Sequence, residues 1–311
     1  MKTYQLAPNV GLIDPAPPIP GFDNFITSYV LHDKQTALID IGPKSSIANI
    51  VPGLSQLNID PDEVSYILLT HIHLDHAGGV GTLLKKMPNA QVVVHERGAP
   101  HLIDPTRLWE DSQRVLGQRA QEYGDMEPVA PDKIIVGQEG MLLHIGNTEL
   151  EVLETPGHAP HHMSFFDRNE GRLFLGEMGG VYLEEADLIR PACPSPFNLE
   201  QKLDSLNRLI NLKPKSLCYG HFGQATEHVI DKLQFYRQQL ILWGKTIATF
   251  DGKEVSRKEI YDTLRSKDKI LERLDRLPPD RRDRELYFMD NDISGFLGYF
   301  KRFGTEYISQ L

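Results

Sequence analysis

Apolar residues fall into short runs up to about residue 224 and into three- and four-residue spacing beyond it. Runs at 25–31 and 36–40 flank the polar His32-Asp33-Lys34-Gln35 and predict a β-hairpin. Before them, Pro8, Pro15, Pro17, Pro18 and Pro20 predict one edge strand and a loop. Ile47, Ile50, Val51, Leu54 and Leu57 have helical spacing, with Pro52 as a kink. Residues 64–70, aliphatic and bounded by Asp60-Pro61-Asp62, predict a buried strand, and 91–95 predict another. A helical pair follows near 98–102 and 106–123. Runs at 134–136, 141–144 and 150–155 predict the start of a second sheet, with hairpin turns at 137–140 and 146–148, and the pair 163–167 and 172–176 continues it. Helices are predicted at 227–247, 257–274 and 289–307. The pattern places an α/β domain at 1–224 and a helical extension packed on it at 225–311.

Composition narrows the class without naming it. A chain of 311 residues, 40% hydrophobic and 24% charged, can bury a large core as an ordinary globular protein. The net charge of −10 disfavours a phosphate backbone as partner, so no nucleic acid is expected. No apolar run approaches the ~20 residues of a membrane span, so no membrane partner is expected either. Met1 to Leu6 lacks the apolar core of a secretory signal, and Cys193 and Cys218 make no disulfide framework. Both point to the cytoplasm, and a small-molecule substrate is expected. The C-terminal helices leave open a homodimer.

The chemistry begins where the strand at 64–70 ends, in His71-Ile72-His73-Leu74-Asp75-His76-Ala77-Gly78-Gly79. Side chains two apart in extended chain share a face, so His71 and His73 converge on one point. Asp75 and His76, adjacent at a helix start, diverge toward a second. Two directed pairs of metal-type ligands are what a two-metal site requires.

This HxHxDH stretch resembles the motif of the metallo-β-lactamase superfamily of hydrolases, which includes glyoxalase II-type thioesterases and lactonases. The resemblance covers roughly residues 20–225 and implies an αββα sandwich with a metal site at one edge of its two sheets. It implies further ligands in order. Thr155-Pro156-Gly157-His158 is similar to the family's TPGH motif, and Ser216-Leu217-Cys218-Tyr219-Gly220-His221 looks like the strand that delivers the last histidine. Asp40, after its strand, would support the metal loop from behind. His71, His73 and His158 would hold one metal and Asp75, His76 and His221 the other. The bridging position departs from the family: Glu177 stands where an aspartate is usual, leaving the filling of both sites and the preferred metal open.

The resemblance implies two divalent cations, with zinc first and iron or manganese suited to the same ligands. A metal-bound hydroxide would then cleave an ester, thioester or lactone, with Asp75 able to take the proton. No Gly-x-Ser-x-Gly elbow argues for a serine nucleophile. Tyr182 and Tyr219 are candidate donors to the oxyanion, and 97–124 is a candidate substrate wall with Trp109 and Tyr123 as apolar contacts. His161 and His162 are assigned polar supporting roles, and Cys218 packing. Two alternatives remain: a mononuclear-iron dioxygenase of thiols or persulfides, and a weakly catalytic metal-binding relative.

Overall fold

A computed structural model describes residues 2–311. The first sheet contains β1 (Thr3–Ala7), β2 (Val10–Ile13), β3 (Ser28–His32), β4 (Thr36–Ile39), β5 (Val64–Leu68), β6 (Gln91–His95) and β7 (Ile134–Gly137), in that spatial order. β1 to β4 run antiparallel, and β4 to β7 run parallel. The second sheet contains β8 (Leu142–Ile145), β9 (Thr148–Glu154), β10 (Met163–Asp167) and β11 (Arg172–Gly176). After a separate hairpin of β12 (Val181–Leu183) and β13 (Leu188–Arg190), it is completed by β14 (Ser216–Tyr219) and β15 (Gln224–Ala225).

The alternation of side chains along each strand explains why the sheets stack. Ala37 and Ile39 of β4, Leu68 of β5 and Val93 of β6 pack against Leu150, Val152, Phe165 and Phe174 of the opposite sheet. Leu38, Ile67, Val92 and Val94 point the other way, into a cluster shared with helices. Strands buried on both faces read as unbroken apolar runs, which is why they were visible in sequence.

Helices cover both outer faces, giving the αββα sandwich. Those before the second sheet are α1 (Ile47–Gln56), α2 (Leu74–Ala77), α3 (Val80–Leu84), α4 (Ala99–Ile103), α5 (Thr106–Leu116) and α6 (Gln118–Tyr123). α7 (Leu199–Asn211) follows, started by the Asn198 side chain accepting from the Gln201 N–H at 3.0 Å. The C-terminal set is α8 (Val229–Ala248), α9 (Arg257–Lys267), α10 (Pro279–Phe303) and α11 (Glu306–Gln310). Leu233, Tyr236, Leu240 and Trp243 of α8 and Ile293, Phe296 and Phe300 of α10 share one buried cluster with Leu173, Leu175 and Leu217. The C-terminal helices therefore have no separate core.

Four expectations need correction. Residues 134–136 belong to the first sheet, because β7 pairs parallel with β6, and the turn at 137–140 crosses between sheets. Only the second glycine turn makes a hairpin, pairing Ile145 with Thr148 around Gly146 at φ +63°. The proline-rich start holds two strands rather than one. The helix expected at 257–274 breaks at Asp268, and α10 starts ten residues before 289, at Pro279, where proline suits a first turn.

Candidate metal centre

β5 ends at Leu68, and the following residues carry the chain to the short helix α2. Asp40, just past β4 and held at φ +53°, fixes that stretch from behind. Its carboxylate accepts from the Thr70 N–H at 2.8 Å, the Thr70 hydroxyl at 2.7 Å and His76 Nδ1 at 2.8 Å. Each contact decides a proton. Since Thr70 gives its hydroxyl proton to Asp40, it can only accept from His71 Nδ1, 3.0 Å away. His158 Nδ1 donates to the Ala192 carbonyl at 3.0 Å, and His221 Nδ1 to the Phe25 carbonyl at 3.1 Å. In these four histidines Nδ1 is spent outward and Nε2 is turned inward, whereas His73 turns its Nδ1 toward His158 Nε2.

The inward atoms form two groups, His71, His73, His158 and Glu177 in one and Asp75, His76 and His221 in the other, with the donor atoms of each within 4.8 Å of one another. His158 Nε2 lies 3.1 Å from His73 Nδ1, and His76 Nε2 lies 3.2 Å from His221 Nε2. Asp75 Oδ2 is 3.5 Å from His221 Nε2. Glu177 spans the groups: Oε2 is 2.5 Å from His158 Nε2 and 3.4 Å from His71 Nε2, while Oε1 is 3.3 Å from His221 Nε2. The extra methylene of glutamate does not keep its carboxylate from facing both sides.

The electrostatics follow from burial and crowding. Burial, then the neighbouring rings, holds His73 down to about 3 and His71 well below the ordinary histidine value. For His76 burial is outweighed by Asp40 and Asp75, which raise it to about 9. Burial pushes the Glu177 carboxyl up, but His158, with His221 and His71, holds it well below the usual carboxylate range. The residues fit a metal by a direct test. His71 Nε2 is sealed from solvent with no hydrogen bond, and it faces the Glu177 carboxylate at 3.4 Å among the rings of His76 and His158. A cation satisfies such a cluster, and binding would displace the proton that His76 favours.

Supporting contacts hold the ligands in place. His162 is buried; its Nδ1 pairs with Thr155 Oγ1 at 2.9 Å and its Nε2 accepts the Glu177 N–H at 3.2 Å. It is therefore spent on positioning Glu177. Lys202 of α7, fully buried, donates to the carbonyls of Glu177 at 3.2 Å and Ala192 at 2.5 Å. His161 lies outside both groups and lines the cavity that opens over them.

That cavity has a volume of about 720 Å³. His73, Asp75, Glu177 and His221 border it, together with Leu108 and Val115 of α5 and Phe288 of α10. The 97–124 stretch thus supplies a wall, as expected, and Tyr123 lines it, whereas Trp109 packs against the core. Tyr182 and Tyr219 do not fill the donor role foreseen for them. Their rings pack on each other at 4.9 Å, neither lines the cavity, and the Tyr219 hydroxyl is sealed without a partner. Cys218 is buried between the sheets. Sequence reasoning missed Lys202, Arg190, Arg284 and Asp292 altogether, since a buried charge carries no local signal.

Two stacked sheets, helices outside and a histidine–carboxylate cluster at the strand ends define an αββα protein with side-chain groups suited to a metal site. The chain belongs to the metallo-beta-lactamase superfamily, whose family model matches residues 21–221. It is 31% identical over 258 residues to a metallo-beta-lactamase fold-containing protein of Sulfurisphaera tokodaii, covering 81% of this chain and 93% of that one. The crystal structure of an archaeal metallo-beta-lactamase superfamily protein from Sulfolobus tokodaii superposes with a TM-score of 0.69 at 25% identity, covering 95% of this chain and 99% of that one. A hydroxyacylglutathione hydrolase of Hahella chejuensis is 31% identical over 195 residues, covering 62% of this chain and 60% of its own. Members of the superfamily bind divalent metals and are mostly metallo-hydrolases. Among the described residues, no helix is long and apolar enough to cross a membrane.

Proposed function

We propose that this protein is a hydrolase holding two divalent cations, zinc first among them, that cleaves an ester, thioester or lactone carrying an uncharged apolar portion. The observation that carries the reading is Glu177, whose two carboxylate oxygens face one donor group each. His71, His73 and His158 would hold one cation, and Asp75, His76 and His221 the other. When bound, such cations supply Lewis acidity toward a carbonyl and a lowered pKa for coordinated water.

The chain's own residues do the rest. Asp40 fixes the orientation of His76 and, through Thr70, of His71. Asp75 borders the cavity and is placed to take a proton at its carboxylate. Leu108, Val115 and Phe288 line the cavity and give an acyl or alkyl group an apolar surface. The similarity to a hydroxyacylglutathione hydrolase supports the thioester arm of this reading.

A single-iron dioxygenase needs one held ion with open positions beside it. The second donor group across Glu177 favours two ions over that reading. The test is elemental analysis of the purified protein followed by a panel of thioesters, lactones and aryl esters. Two zinc, manganese or iron ions per chain with turnover of one panel class is the expected result. One iron per chain with oxygen uptake on thiols, and no hydrolysis, would overturn it.

A further inference from the structure

The metal donors all lie within residues 71–221, yet the contacts behind two of them lead into α10, which lies beyond the 21–221 family match. We infer that α10 is a positioning element of the metal centre. Its Arg284 sets the Asp75/His76/His221 group and its Asp292 the group containing His158. This rests on the two-cation reading.

The first path is a stack. Arg284 is 3% exposed, and its guanidinium carbon sits 3.9 Å from the Phe25 ring centroid. Phe25 in turn stacks on His221, with centroids 4.4 Å apart and planes 29° from parallel. The Phe25 carbonyl accepts the His221 Nδ1 proton at 3.1 Å, so one residue controls both the tilt of the imidazole and its tautomer. Phe25 is held from α10 once more, by Phe288 stacking on it at 5.5 Å, and Arg284 Nη1 donates to the Gly21 carbonyl of the same loop. Guanidinium, phenyl and imidazole thus form one column ending at the second donor group.

The second path is a clamp. Asp292 Oδ1 accepts from the Cys193 N–H at 2.6 Å, and Oδ2 accepts from Arg190 Nη1 at 3.1 Å. Arg190 Nη1 also donates to the Pro191 carbonyl at 2.8 Å. Between these anchors lies Ala192, whose carbonyl takes the His158 Nδ1 proton. Glu285, fully buried, receives both Arg190 and Arg284 and ties the two paths together. The second path has a backup, because Lys202 also donates to the Ala192 carbonyl. In the first path Phe22 meets Phe25 edge-on at 5.2 Å with Arg119 and Tyr123 of α6 behind it, which is packing and not a second hydrogen bond.

A helix that merely stabilised the fold would weaken both donor groups alike. A positioning helix weakens them selectively, and metal titration separates the two. The full-length protein is stripped with a chelator, and zinc is returned under chelator competition while melting temperature and circular dichroism are recorded. Two binding steps are expected, assigned by which one disappears in His221→Ala and which in His158→Ala. Arg284→Met weakens the His221 step by about tenfold and leaves the other within about threefold. Arg284→Lys, which keeps the charge over the ring, recovers part of the loss. Asp292→Asn weakens the His158 step by a smaller factor, because Lys202 remains.

Phe25→Leu breaks the column without disturbing the buried ion pairs. It reproduces the Arg284→Met pattern and decides the matter if Arg284→Met does not fold. Equal weakening of both steps, or none, in a folded Arg284→Met or Phe25→Leu overturns the inference while leaving the two-cation reading intact. A wild-type chain that binds only one zinc overturns the two-cation reading itself, and the site-selective inference falls with it.

Discussion

The metal centre and the seam between β13 and α10 treat charge in opposite ways. At the metal centre, buried polar atoms point at one another, and His71 Nε2 has no hydrogen-bond partner. In the seam between β13 and α10, buried charges meet as pairs: Arg190 and Arg284 on Glu285, and Arg190 on Asp292. An unpartnered cluster is poor for stability and suited to binding a cation. A paired cluster fixes its neighbours in one arrangement. The contrast assigns chemistry to the first region and geometry to the second.

The largest effect that could break this contrast lies at the metal centre. His73→Ala and Asp75→Ala should each lower turnover at least about a hundredfold with little change in melting temperature, read by steady-state kinetics on the responsive panel substrate. An intermediate effect sharpens the role of the seam. The Arg284→Met protein should need about tenfold more zinc than wild type to reach half-maximal activity.

Smaller effects test the cavity and the bridge. In a series of unbranched acyl esters, kcat/KM should rise by about two- to fourfold per methylene until the walls at Leu108, Val115 and Phe288 are covered. Val115→Ala should flatten that rise without altering the shortest substrate. Glu177→Asp should keep turnover within about threefold of wild type, since a shorter carboxylate still offers two oxygens. A loss as deep as that of His73→Ala would remove Glu177 from the bridge.

Much of the sandwich was legible because its chemistry is local. His71, His73, Asp75 and His76 sit in one strand-end segment whose period separates the two directions, and the apolar runs of β4, β5 and β6 mark strands buried on both sides. His158, Glu177 and His221 became readable only through the family resemblance, because nothing near them in sequence says where they point. The start of α10 was not legible. Residues 279–286, Pro-Asp-Arg-Arg-Asp-Arg-Glu-Leu, look like a solvated charged face, yet Arg284 and Glu285 are buried. Their partner Arg190 lies about a hundred residues away, a distance over which charge patterning has no reach. The misassigned 134–136 strand has a similar cause: an apolar run of that length fits either sheet, and only pairing decides.

The central claim is that seven side chains form two facing cation sites with Glu177 between them. It is tested most directly by anomalous diffraction at the zinc edge from crystals of the zinc-loaded protein. The account predicts two peaks per chain, one among His71, His73 and His158 and one among Asp75, His76 and His221, with Glu177 density reaching both. A single peak, or two with Glu177 turned away from either, would contradict it.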